Sequence, residues 1–459
     1  MTKVRKNQLT VRLNELNIEK IAISSGFTKR SDSKISLLSF LQSFMESFME
    51  GSFSLSSWAS ALGMLIGTTV TKQALQGKFH DRQTNTLKAV LQATLEQKVQ
   101  TEVQKEAFSA RKWALFAHFG RVLLEDSTCQ KVHECLHEAF PTSSDGKGSV
   151  SATLRIQTIF ELVSNTFVFF NLESYRDNDQ KAARNVLGIL KKGDLVIRDL
   201  GYLIIDVLRQ VMDKEAYFLS LCKPGISVFD ATTKEQILLV KYLRKISGNA
   251  VDMKVEFGAK DRLPVRLVAL RLPDEVANEK RRKVRLNAHR TSNHSDEYYE
   301  LLGWNIFITN VSTEIWSFEQ ISYAYRVRWR IETTYKCWKS VFNFKTFFTG
   351  RKMLLERVRI CTYIILTLYA IIFDTMFTYF AAAVQAHHKT IKTHHKRTKN
   401  PTESPVLSML KAGNLIKQFF YQLVHSADWS DLIPTFYKHG TYEERSDRPH
   451  FEYFTHNIF

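Results

Sequence analysis

The sequence predicts a mixed α+β fold: a central mixed sheet with flanking helices, interrupted by a β-rich insertion, with helical regions before and after. Three observations lead there. Short runs rich in Val, Ile and Phe alternate with helical patterning between residues 121 and 202. Strand-like runs such as AYFLSLC, VDMKVEFG and VRLVALRL then crowd residues 216–310. Finally, residues 325–339, YRVRWRIETTYKCWK, read as one amphipathic helix with an apolar stripe beside a charged one.

A chain of 459 residues has room for two to four domains and a large core. Its 44% hydrophobic and 24% charged residues exclude wholesale disorder. Lys and Arg outnumber Asp and Glu by 64 to 46, a net charge of +18 that favours a polyanionic partner. Nucleic acid and a membrane surface both fit that charge. The five cysteines are scattered, with no C-x2-C pair, which suits buried thiols in a reducing compartment. The start, MTKVRKNQLT, has no apolar stretch behind it, so the expected location is the cytoplasm.

Residues 1–110 read as a helical N-terminal domain. Within it, residues 54–79 look like two short helices around a turn near residues 66–68, with Gly67, Thr68 and Thr69 where a second helix would begin. That pattern is compatible with a DNA-binding helix-turn-helix offering Lys72, Gln73 and Gln76, and equally with any small helical domain. RVLLEDST (121–128) is a short apolar strand with an acidic end, and strands over 152–162 and 165–174 follow a Ser- and Gly-rich loop. A helix over 179–190 leads to DLVIRDLGY (194–202), a buried-type strand closed by Asp199 and a glycine turn. Three strands, a helix and a fourth strand, with aspartates on the first and fourth, follow the order of an RNase H-like core. Residues 111–205 would be its first part and 206–303 a β-rich insertion domain bearing the basic run EKRRKVRLNAHR. WNIFITNV returns the chain to the second part of the core, residues 304–385. Residues 360–373 are wholly apolar or neutral but short for a bilayer, and Asp374 follows, so a buried core helix is expected. Residues 386–459 would form a basic, Pro-punctuated linker and a C-terminal helical region.

The chemistry lies in acids. Asp126, Asp199 and Glu332 fall on the first strand, the fourth strand and the late helix, positions that converge on one edge of such a sheet. Three clustered carboxylates repel one another unless cations sit between them, which implies hard divalent metal, Mg²⁺ by preference, with Mn²⁺ as a substitute. Two such ions can activate a water or a 3′-hydroxyl and stabilise the departing oxygen of a phosphodiester. On a helix, Tyr325, Arg328, Glu332 and Lys339 share a face within roughly 60°. Val327, Ile331, Trp338 and Phe342 form the packing stripe.

The order DST (126–128), D-x-G-Y (199–202), a WNIFITN strand and Y-x2-R-x3-E-x6-K resembles the DDE transposases of bacterial insertion sequences, the YREK or insertion-sequence-four type. The resemblance covers roughly residues 115–350. It implies that Asp126, Asp199 and Glu332 are the catalytic metal ligands. It also implies that Tyr325, Arg328 and Lys339 hold phosphates at the transposon end. Relatives stack a flipped base on an aromatic of the inserted region, a role for which Trp304 is the candidate; a core tryptophan at a strand start is the plainer alternative. One departure is Leu200, where many relatives place a basic residue after the second Asp. H-E-x-x-H at 133–137 matches a zinc-protease pattern, but no third ligand or protease architecture accompanies it.

What the resemblance implies is DNA transposition of an insertion sequence. The protein would bind terminal inverted repeats as a homodimer in a synaptic complex, hydrolyse a strand and join the freed 3′-OH to target DNA. Some relatives pass through a hairpin, and the sequence leaves that route open. The alternative is a decayed or domesticated transposase acting only as a DNA-binding protein, which a broken triad would mark. All three acids are present.

Overall fold

The computed structural model describes residues 8–28, 34–49, 53–104, 114–142, 151–164, 166–177, 179–222, 225–287, 294–341, 355–394, 405–426 and 428–442. Among the described residues six helices come first: α1 (Gln8–Glu15), α2 (Ile18–Ser24), α3 (Leu37–Met49), α4 (Leu55–Ile66), α5 (Lys72–Gln76) and α6 (Asp81–Gln104). Trp58 of α4 is fully buried, packs on Phe40 and Phe44 of α3, and donates its indole N–H to Ser43 (3.1 Å). The turn after α4 differs from expectation. Gly67, at φ +67°, closes α4, a left-handed position that glycine takes without strain. It is Thr71, not Thr68 or Thr69, that caps α5, by accepting from the Ala74 N–H.

The sheet follows: β1 (Val122–Val132), β2 (Ala152–Glu161), β3 (Thr166–Ser174), then α7 (Asp179–Ala182), β4 (Leu195–Arg198), α8 (Ile205–Asp213) and β5 (Tyr217–Leu221). β1 pairs antiparallel with β2, and β2 with β3, while β1, β4 and β5 run parallel. The helix expected over 179–190 is shorter. It ends after one turn because the Ala183 carbonyl accepts from the buried Arg198 guanidinium (2.6 Å), and a 3₁₀ turn, Asn185–Gly188, replaces the rest.

Next come β6 (Val228–Asp230), β7 (Gln236–Ile237), α9 (Leu239–Arg244), β8 (Ala250–Phe257), β9 (Leu263–Arg271), α10 (Asp274–Asn287), α11 (Asp296–Leu301) and β10 (Trp304–Thr309). Their strands do not form a separate sheet. β10 pairs with both β5 and β9, giving one ten-stranded sheet in the order β3-β2-β1-β4-β5-β10-β9-β8-β6-β7.

α12 (Phe318–Arg326) starts at a capping box between Ser317 and Gln320, and α13 (Trp329–Ser340) follows it. The single helix read over 325–339 is therefore two, joined through Val327 and Arg328. Both joint residues stay right-handed, but their N–H groups bond three residues back, Val327 to Ala324 (3.3 Å) and Arg328 to Tyr325 (3.1 Å). The tighter winding satisfies the backbone while Val327 is wholly buried. Phe342 of the expected packing stripe lies outside the described residues, as do 143–150 of the first loop, 288–290 of the basic run and 395–404 of the linker.

The last described elements are α14 (Leu355–Leu368), a π-helical turn (Tyr369–Phe373), α15 (Asp374–His394), α16 (Met409–Gln418), α17 (Phe420–His425) and α18 (Ile433–His439). Leu355–Ile391 is long and apolar enough to cross a membrane, yet 94% of its most apolar window is buried inside the protein. α14 packs against α6, so this apolar stretch serves as core between the N-terminal helices and the sheet.

Candidate active site

Alternation along the strands decides which side chains meet. Glu125 stands opposite Arg198 in the parallel pairing of β1 with β4, so the next residues, Asp126 and Asp199, come level at the sheet's edge. Leu124 and Ile197 pack into the core shared with α13, and Leu123 and Val196 into the core on the other face. Asp126 and Asp199 therefore both face α13. That helix is tied to the sheet by the Tyr335 hydroxyl, 2.5 Å from the hydroxyl of Thr158, which pairs with Asp126 on β2.

All three acids read from the sequence converge, and they converge on Arg328. Its Nη1 donates to Asp126 Oδ2 (3.0 Å), its Nη2 to Glu332 Oε1 (2.7 Å), and its Nε lies 3.8 Å from Asp199 Oδ1. The buried Nε makes no hydrogen bond, so the fit is imperfect. Tyr325 donates its hydroxyl to Asp199 Oδ1 (3.4 Å) and rests its ring on Phe307. Among the described residues no three His, Cys, Asp or Glu side chains form a ready metal cluster, since a guanidinium stands between these carboxylates.

The electrostatics follow from crowding. Burial pushes the Asp126 carboxyl up to about 7; Arg328 and the Ser127 N–H pull it down, and Asp199 and Glu332 raise it further. Burial would lower the Arg328 guanidinium, but Tyr325 and the three carboxylates outweigh it and hold the charge on. Burial raises the Tyr325 phenol, which stays protonated.

Two further expected residues stand apart from this centre. Lys339 is half-buried near the end of α13, and its charge is felt at Cys129 of β1, whose thiol burial otherwise pushes up. Trp304 opens β10, half-buried, with the Arg271 guanidinium 4.5 Å over its ring. In register it lies at the same edge as Asp199, three residues farther out, roughly 10 Å along the strand and two strands across. The zinc-like pattern dissolves: His133 caps a 3₁₀ turn by accepting from the Cys135 N–H, and His137 Nδ1 contacts the Ser151 carbonyl (2.8 Å).

Sequence reading missed the residues behind the acids. Glu125 and Arg198 form a wholly buried ion pair (2.6 Å) on the opposite face. Only their positions, each one residue before a candidate aspartate, could have signalled it.

Two aspartates at the edge of a mixed sheet and a glutamate of the facing helix, gathered on one arginine at that helix's start, define a class: proteins with a clustered acidic site beside a mixed sheet. Residues 117–365 match the model of the transposase DDE domain, over half of the chain, and the protein belongs to that family. It is 28% identical over 306 residues to the transposase for insertion sequence element IS231F of Bacillus thuringiensis subsp. israelensis, covering 62% of this chain and 62% of that one. The transposase for IS1151 of Clostridium perfringens is 26% identical over 374 residues, 75% of this chain and 74% of its own. The chain thus spans less than two thirds of the IS231F relative it matches (62%). A piggyBac transposase synaptic complex with hairpin DNA aligns with a TM-score of 0.41 at 7% identity, over 95% of this chain and 83% of that one, too faint a likeness to define the fold.

Proposed function

We propose that the protein is the transposase of an insertion sequence, a metal-dependent enzyme that cuts DNA at terminal inverted repeats and transfers the freed 3′-end to a target. The observation that carries this reading is the convergence of Asp126, Asp199 and Glu332 on one guanidinium. A site that already centres three hard oxygen donors on a positive charge suits a divalent cation such as Mg²⁺ or Mn²⁺. Bound there, divalent metal would supply a more acidic water or 3′-OH and charge stabilisation for the leaving oxygen. Asp126, Asp199 and Glu332 would be the ligands and the catalytic acids.

Arg328 would then leave the carboxylates and turn to a phosphate of the transposon end, where Tyr325 and Lys339 join it. In the free protein the same guanidinium is held among the acids. Trp304, exposed in part at the same sheet edge beneath Arg271, would stack a base drawn out near the cut. We assign the RNase H-like core to β1–β5 with β10, α12 and α13, supported by the 3-2-1-4-5 strand order, and an insertion to β6–β9 with their helices. The six N-terminal helices would bind the repeats, and a homodimer would pair the two ends. The intact triad favours this over a DNA-binding protein that has lost catalysis.

Alanine at Asp126, Asp199 or Glu332 should each abolish Mg²⁺-dependent cleavage of end DNA while leaving end binding largely intact. Any single variant that cuts near the wild-type rate removes that residue from the triad.

A further inference from the structure

Behind the acids, on the other face of the sheet, lies a second polar cluster. Ser127 points away from Asp126 toward α7, and there Asp179 Oδ1 accepts from Ser127 Oγ (3.0 Å), Arg155 Nη1 (2.5 Å) and Gln157 Nε2 (3.3 Å). Gln157 is held in turn by the Tyr202 hydroxyl (2.5 Å), and Arg155 by the Tyr175 carbonyl (3.3 Å). Arg155, Gln157 and Tyr202 are all buried, so the cluster is built into the fold. The other oxygen of Asp179 packs on backbone: a Cβ at Gly201 would lie 2.9 Å from Oδ2 and 3.2 Å from the Asp179 Cβ. This close approach explains the glycine of the D-x-G-Y stretch, which no turn geometry requires.

We propose that Asp179 is a positioning residue for the two catalytic aspartates. On one side it grips Ser127, whose own N–H donates to Asp126 Oδ1 (2.8 Å); on the other it abuts Gly201, two residues after Asp199. One carboxylate thereby ties the strand end carrying Asp126 to the turn carrying Asp199. Asp179 is not a ligand itself, because its Oδ1 is committed to three donors on the far face of the sheet. The proposal rests on the metal-site reading above and deepens it.

The test uses the full chain and Mn²⁺ alone, titrated by calorimetry, with thermal melting of each variant alongside. Asp179→Asn and Ser127→Ala should each weaken Mn²⁺ binding about 10- to 100-fold, the usual cost of disturbing the groups that orient metal ligands. Gly201→Ala should lose as much by pushing Asp179 away, and the Ser127→Ala/Asp179→Asn pair should be no weaker than Asp179→Asn alone. Wild-type Mn²⁺ affinity in Asp179→Asn and Ser127→Ala overturns the proposal, whether or not the melting temperature falls. Should Asp179→Asn not fold, Ser127→Ala, which removes one hydroxyl, decides alone. A wild-type protein that takes up no Mn²⁺, or an Asp126→Ala variant that binds it equally well, overturns the metal reading and this proposal with it. Loss at Asp126 without loss at Asp179 and Ser127 overturns the positioning role only.

Discussion

Arg328 stands where the chemistry wants a cation, and its cost and its use come from the same contacts. Removing it leaves the three carboxylates without the guanidinium they share, so their affinity for an external cation rises. Arg328→Ala should therefore bind Mn²⁺ more tightly than wild type in calorimetry while losing about one phosphate contact from the salt dependence of end-DNA binding. Weaker Mn²⁺ binding in that variant would show the guanidinium organising the site rather than competing for it. Trp304 makes a smaller claim. Stacking a base is worth roughly 1–3 kcal/mol, so Trp304→Ala should slow a step that needs an extruded base without abolishing the first nick. A uniform loss across all steps, with a lowered melting temperature, would return Trp304 to the core.

At the scale of elements, the register of β1 against β4 brings Asp126 and Asp199 level, and Glu125 with Arg198 guards it. Both side chains are buried, at 2% and 0% exposure, so removing one strands the other's charge. Glu125→Ala should cost about 3–5 kcal/mol in urea denaturation, because the lone Arg198 keeps its charge out of water. Replacing the pair together with apolar residues of similar volume should cost much less. Equal losses in both cases would mean that packing, not charge, holds the two strands. The tie between Tyr335 and Thr158 is milder: Tyr335→Phe should cost about 0.5–1.5 kcal/mol, the net worth of one hydrogen bond, because the Thr158 hydroxyl keeps the Asp126 carbonyl (3.4 Å) as a partner.

At the scale of the whole molecule, the N-terminal helices, the sheet and α14–α15 share one apolar core, reaching from Leu13 to Phe436. Cys361 sits inside it, and burial pushes its thiol from the ordinary 9.0 up to about 12. Because the folded value is the higher one, the neutral thiol favours the fold below pH 9, and that contribution is lost as pH rises toward about 12. Melting temperature should thus fall more steeply between pH 9 and 11 in wild type than in Cys361→Val; parallel curves would place that thiol in contact with water.

That Tyr325, Arg328 and Glu332 come together was legible in the sequence because their spacing is local, whereas Asp126 and Asp199 were set beside them through the order of the strands and the family resemblance. So were nearly all the strands, since period-two runs ended by polar turns are set by neighbours along the chain. Residues 360–373 also read correctly as core, from their length and the absence of charge. What pairing alone decided is of another kind. Strands β6–β9 join the central sheet through β10 because its edges were open to both β5 and β9. The central helix breaks at Val327, where a tighter turn coincides with the burial of that side chain and the contacts of Arg328. Asp179 stayed silent, as an acid opening a short helix looks like any other. Only folding β1, β2 and the turn after β4 against it gave that carboxylate Ser127, Arg155 and Gly201 as neighbours, and contacts between residues 22 to 52 positions apart are written in no local pattern.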